Sequence, residues 1–167
     1  RSDGTADGTQ MVADIAPGSS DSTPTQLLVS DGQLFFSAND GERGFELWMS
    51  DGTAVGTMQV EDLYPGALGS FPANLHLSSF SNDVQLFFTA EHPDTGRELW
   101  VSDGTAAGTD VVRDIHPDGN AQAVPLGTVG ERLFFSAFAP QHGTELWHTD
   151  GTTAGTMLVA DLNRGGA

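Results

Sequence analysis

The 167-residue sequence has no cysteine and no lysine; its basic residues are six arginines, set against 23 acidic side chains. Without cysteine there is no disulfide framework, thiolate zinc site or iron–sulfur centre. A formal charge of −17 excludes the clustered Lys/Arg surface that nucleic acid or anionic lipid requires, and it favours cations as partners. No apolar run approaches the ~18 residues of a membrane span, so membrane insertion is not expected. No basic n-region followed by an apolar h-region stands at the start. There is no His-Glu-x-x-His, no Gly-x-Ser-x-Gly, no phosphate-binding loop and no EF-hand pattern. No Asn-x-Ser/Thr acceptor is present. What the chain does have is ten Phe, enough with its aliphatic residues for a core, and 21 Gly.

Those residues recur in a fixed order. Asp-Gly-Thr occurs at Asp3, Asp51, Asp103 and Asp150, in steps of 48, 52 and 47 residues, each time followed by a second Gly-Thr. Val-x-Asp-(Ile/Leu) comes next, ending its Val-x-Asp at Asp14, Asp62, Asp114 and Asp161. Glu-Leu-Trp precedes the last three copies, starting at Glu46, Glu98 and Glu145, and Leu-Phe-Phe precedes that, starting at Leu34, Leu86 and Leu133. Spacing inside the block does not vary. All length variation falls between Val-x-Asp and the next Leu-Phe-Phe, as expected of a rigid unit with one tolerant loop.

Each unit reads as strands. Leu-Phe-Phe suits a strand buried on both faces. Glu-Leu-Trp alternates, with Leu47 on one face and Glu46 and Trp48 on the other. Asp-Gly-Thr-x-x-Gly-Thr is turn chemistry. Thr-x-x-Val-x-Asp is a half-polar outer strand, including one at residues 9–15. A fourth strand fits Thr25–Ser30 or residues 75–79, and no segment carries a helical period. Four strands per 47–52 residues predict an all-β fold of β-propeller-type blades; an array of hairpins or an open solenoid is the competitor. The expected divisions are a partial repeat at 1–18 and full repeats at 19–66, 67–118 and 119–167.

The octapeptide Glu-Leu-Trp-x-x-Asp-Gly-Thr, as in residues 46–53, resembles the ELWxxDGT repeat family of bacterial proteins, over nearly the whole chain. The resemblance implies an exported, multi-repeat, propeller-like protein in an extracellular or cell-surface setting, and it transfers no catalytic residues. The first copy lacks Glu-Leu-Trp, and the last has His148-Thr149 before Asp150. Three units and part of a fourth do not make a closed ring. The chain is therefore expected to be a piece of a longer repeat protein, or to be completed by neighbouring copies into a ring or filament.

Two recurring sets of carboxylates are candidates for chemistry. The pairs Asp3/Asp14, Asp51/Asp62, Asp103/Asp114 and Asp150/Asp161 lie on strands joined by one turn, and hard cations such as Ca²⁺ take six to eight such oxygens. Against Ca²⁺ stands the stronger reading that the first Asp caps the turn and the second the strand end. Glu46, Glu98 and Glu145 share a face with Trp48, Trp100 and Trp147, which is either a glycan platform or packing between units, the latter being the commoner fate of a recurring Trp. In the packing reading the Glu bonds neighbouring backbone or an arginine, Arg43 and Arg97 being near. The histidines at 76, 92, 116, 142 and 148 hold non-equivalent positions. The function expected from sequence is non-enzymatic: structural or adhesive, with neighbouring copies, further repeats, glycans or surface proteins as partners. A glycan- or protein-binding module is the alternative, and a carboxylate-dependent glycoside hydrolase comes last.

Overall fold

The computed structural model describes residues 1–80 and 83–162. The fold is all-β. Among the described residues, twelve strands form three four-stranded antiparallel sheets, each a meander in chain order. The first holds β1 (Thr25–Ser30), β2 (Gln33–Asn39), β3 (Phe45–Ser50) and β4 (Met58–Gln59). The second holds β5 (Ala73–Phe80), β6 (Asp83–His92), β7 (Gly96–Ser102) and β8 (Asp110–Arg113). The third holds β9 (Val124–Val129), β10 (Arg132–Ala139), β11 (Gly143–Thr149) and β12 (Met157–Ala160). A 3-10 turn, Ala106–Gly108, sits inside one Asp-Gly-Thr loop. Register repeats with the sequence: Phe36 faces Trp48, Phe88 faces Trp100 and Phe135 faces Trp147.

The Leu-Phe-Phe strands β2, β6 and β10 lie inside their sheets, and the short Val-x-Asp strands lie at an edge. An inner strand has both backbone rows bonded, so it tolerates apolar side chains on both faces. The β1–β2 hairpin turns on Asp31 and Gly32 at φ 45° and 78°. Positive φ at both positions is what a two-residue turn matching the strands' twist demands, and Asp-Gly supplies it.

One strand expectation fails. Residues 9–15 follow a complete Asp-Gly-Thr turn yet form no strand. Their counterparts β4, β8 and β12 each pair with a Glu-Leu-Trp strand, and no Glu-Leu-Trp precedes Asp3 in this sequence. A strand is made by its partner's hydrogen bonds, so the same residues without the partner stay irregular.

The chain divides into two compact units, Arg1–Phe71 and Pro72–Ala167. In the first, a parallel bridge between Phe45 and Gly69 ties the segment after β4 back to β3. The second unit contains two sheets, and they share one core. Phe80, Phe87, Leu99, Val112 and Ile115 come from one sheet and its loop; Leu133, Phe135, Ala137, Ala139 and Trp147 come from the other. Each of these is 7% exposed or less. A hydroxyl bond between Ser78 and Thr128 (2.7 Å) and an Arg113 bond to the Thr156 carbonyl (2.8 Å) cross the same junction.

Candidate functional site

The four Asp-Gly-Thr turns have one geometry. In each, Oδ1 of the Asp accepts both the backbone N–H and the hydroxyl of the Thr two residues on, at 2.7–2.9 Å. That Thr hydroxyl in turn accepts the N–H of the second Gly. The second Thr donates back to the carbonyl of the first and shares a 2.7 Å bond with the Ser or Thr preceding the Asp. Thr149 therefore replaces Ser102 without loss, because only the hydroxyl is used. The first Gly of the motif sits at φ 85–91°. The second Gly leaves room for the Asp carboxylate, and a Cβ there would collide with it in all four copies. Hydrogen bonds from Thr5, Thr53, Thr105 and Thr152 hold Asp3, Asp51, Asp103 and Asp150 below the usual carboxylate range.

The Glu of Glu-Leu-Trp is fully buried in the first two sheets. Glu46 accepts the N–H groups of Leu63 (3.3 Å), Tyr64 (3.2 Å) and Ser70 (2.8 Å) and the hydroxyl of Ser70. It thus pins the variable loop that follows β4. Burial still outweighs these donors and pushes it up to about 6. Glu98 holds the equivalent loop with fewer bonds: Oε1 accepts from His116 N–H at 3.0 Å, and Oε2 is buried without a hydrogen-bond partner among the described residues. Burial pushes Glu98 up to about 7, with Asp114 adding to the rise. The antiparallel register Leu99–Arg113, carried one residue further, sets Asp114 opposite Glu98, so two carboxylates share one face. Glu145 is 8% exposed, and the stretch corresponding to Tyr64–Ser70 lies outside the described residues.

Arg43 pairs with Asp40 at 2.7 Å and lies 3.8 Å from Asp62, and Arg97 lies 3.7 Å from Glu91. Backbone N–H groups of the loops after β4 and β8 donate to these carboxyls.

The second Asp of each pair takes no part in the turn bonds that the first accepts. Asp14 is exposed. Asp62, Asp114 and Asp161 are half-buried, each with Oδ1 lacking a hydrogen-bond partner among the described residues. Asp161 also takes His142 at 3.0 Å. Among the described residues no three His, Asp or Glu side chains converge as a metal-holding group. Trp147 is not an open platform: it is 7% exposed within the inter-sheet core, with Arg113 6.0 Å above its ring. Beside it, within the second unit, opens a cleft of about 410 Å³ whose polar lining is Arg113, Asp114, Asp118, Gln141 and His142. Its walls come from the loop after β8 and the β10–β11 turn, both in the length-variable or turn regions that motif reading leaves aside. No protein-family model matches the chain, and neither a curated protein nor a solved structure shows significant similarity to it.

Proposed function

We propose that the chain is part of a non-enzymatic, extracellular repeat protein of the ELWxxDGT type, with its sheets acting as propeller-type blades and its role structural or adhesive at a bacterial surface. The observation that carries this reading is where the recurring carboxylates are spent. Asp3, Asp51, Asp103 and Asp150 close their own turns, and Glu46 and Glu98 hold their own loops. Carboxylates spent on building each repeat support a non-enzymatic reading. The same accounting supports turn closure over Ca²⁺ binding for Asp3, Asp51, Asp103 and Asp150, whose Oδ1 is taken up by the turn. Neighbouring copies or further repeats are the partners this architecture suits, because stacked repeats bury one another's apolar faces.

The cleft beside Trp147 supports a second reading, a glycan- or protein-binding module. It combines an arginine, two carboxylates, an amide and a histidine against an apolar wall, the composition of a small-ligand site.

The measurements are direct. Fractionation of the source cells with an antibody to the chain should place it at the surface or in the medium; confinement to the cytoplasm refutes the extracellular assignment. A polysaccharide panel should show no turnover. Hydrolysis that disappears in Glu98→Gln would establish an enzyme instead. Specific glycan binding lost in Gln141→Ala would select the second reading. Thermal melting in EDTA and then in excess Ca²⁺ should give one midpoint, because a ligand of the native state alone would raise it.

A further inference from the structure

The sequence has eight Asp-Gly pairs, and Asp-Gly is a dipeptide open to self-modification. Glycine has no Cβ to block the approach of the preceding carboxyl to its backbone nitrogen. The Gly nitrogen attacks the Asp Cγ. An N–Cγ bond forms, and the hydrogen of the N–H leaves with the carboxyl hydroxyl as water, giving a cyclic succinimide. Water then reopens the ring. Opening at the former main-chain carbonyl leaves isoaspartate, in which the backbone runs through the side-chain carbon. One water leaves and one enters, so no other reactant is needed. The reaction requires a protonated carboxyl and a nitrogen free to turn onto it, and the fold distributes these unequally.

In the four Asp-Gly-Thr turns the glycine N–H is tethered to the hydroxyl preceding the Asp. Gly4 donates to Ser2, Gly52 to Ser50, Gly104 to Ser102 and Gly151 to Thr149, at 2.9–3.1 Å. The carboxyl is held as well, since the bonds from the following Thr keep it ionised below the usual range. Three further pairs are tethered at nitrogen. Gly8 donates to the Thr5 hydroxyl (2.9 Å), Gly41 to Asn39 Oδ1 (2.7 Å) and Gly119 to the His116 carbonyl (2.8 Å).

Asp31–Gly32 is different. Both residues are exposed at the tip of the β1–β2 hairpin. The last pair of that ladder is Ser30 with Gln33, so the two central residues of the turn stand outside the hydrogen-bonded rows. Among the described residues neither the Gly32 N–H nor the Asp31 carboxyl has a hydrogen-bond partner. Turning this nitrogen onto Cγ disturbs only the terminal Ser30–Gln33 pair. We propose that Asp31–Gly32 is the site at which the folded chain cyclises and isomerises, and that the Asp-Gly-Thr hydroxyls shield the repeat from the same reaction. Isoaspartate adds a backbone methylene to a turn built for two residues, so the change falls on the pairing of β1 with β2. The inference is independent of where the protein resides and of what it binds.

Ageing the full chain in mildly acid buffer, where carboxyls carry the proton that leaves with the water, tests it. Peptide mapping with electron-transfer fragmentation separates isoaspartate from aspartate, and the loss of one water marks the succinimide. Isoaspartate should accumulate at Asp31 about tenfold or more faster than at any other Asp-Gly, as expected where a hydrogen bond must break first. In urea, with the tethers gone, all eight pairs should react at similar rates. Asp31→Gly keeps a pair suited to the turn and should abolish the folded-state signal. Ser50→Ala removes the acceptor of the Gly52 N–H and should raise isoaspartate at Asp51 while Asp103 stays unmodified, which a misfolded chain would not show. Isoaspartate at Asp7 or Asp118 equal to that at Asp31, or a folded chain unmodified under conditions where the unfolded chain reacts, overturns the proposed site. An unchanged Asp51 in the Ser50→Ala chain overturns the shielding.

Discussion

At the scale of single residues, the repeat is held by hydroxyls and small spaces more than by charge. Thr109 is 7% exposed and Ser102 is 1%, and their shared bond sits beneath the Asp103 turn with a second bond from Thr109 to the Thr105 carbonyl. Thr109→Val keeps the shape and removes the hydroxyl. It should cost about 1–3 kcal/mol, the penalty for leaving buried groups unsatisfied, read by urea denaturation; a change within error would show that the turn network adds nothing. Glu98 gives a pH prediction. Its folded value of about 7 lies above the ordinary 4.5, so its proton is held more tightly in the folded state. The contribution of this carboxyl to stability is therefore fully present below about pH 4.5 and is lost as pH rises through about 7. Glu98→Gln should flatten that slope and raise the melting temperature at pH 8. An unchanged slope in the variant would assign the pH dependence to other groups.

At the scale of elements, strand identity was legible where both partners are in the sequence. The fourth strand placed at Thr25–Ser30 is β1, and the second Phe of each Leu-Phe-Phe sits opposite its Trp. Residues 9–15 carry the right pattern and are no strand, because pattern states a preference while pairing supplies the bonds. The Glu-Leu-Trp motif was legible in part: its carboxyl was expected to bond neighbouring backbone or an arginine, and backbone N–H groups do donate to it, but which residues carry them was not. The loop it holds is the part that varies in length, so no fixed spacing pointed to Leu63, Tyr64 or Ser70. Glu46→Ala should free that loop while β2 and β3 persist. Amide hydrogen exchange at Leu63, Tyr64 and Ser70 should accelerate by on the order of tenfold or more, as expected for loss of bonds worth about 1 kcal/mol or more each. Uniform acceleration across the first sheet would mean that the clamp supports the whole unit.

At the scale of the whole molecule, the second unit shows how the repeats cohere. One core spans two sheets, and Phe135 is fully buried within it. Phe135→Ala should cost about 3–5 kcal/mol, and it should loosen both sheets of that unit together. Calorimetry of the variant should show one cooperative loss for the unit; separate melting of β5–β8 and β9–β12 would show that the shared core does not couple them.

The amino-acid sequence by itself determined the turns, the order of strands and which side chains alternate across each sheet. Those depend on local torsion preferences, on hydroxyls a few residues away and on a two-residue period. Tertiary structure decided which repeats are covered, which candidate strand is formed and where the buried carboxyls find their donors. Burial and pairing are properties of neighbours brought together from afar, and copies of one motif acquire different surroundings without any difference in their own residues.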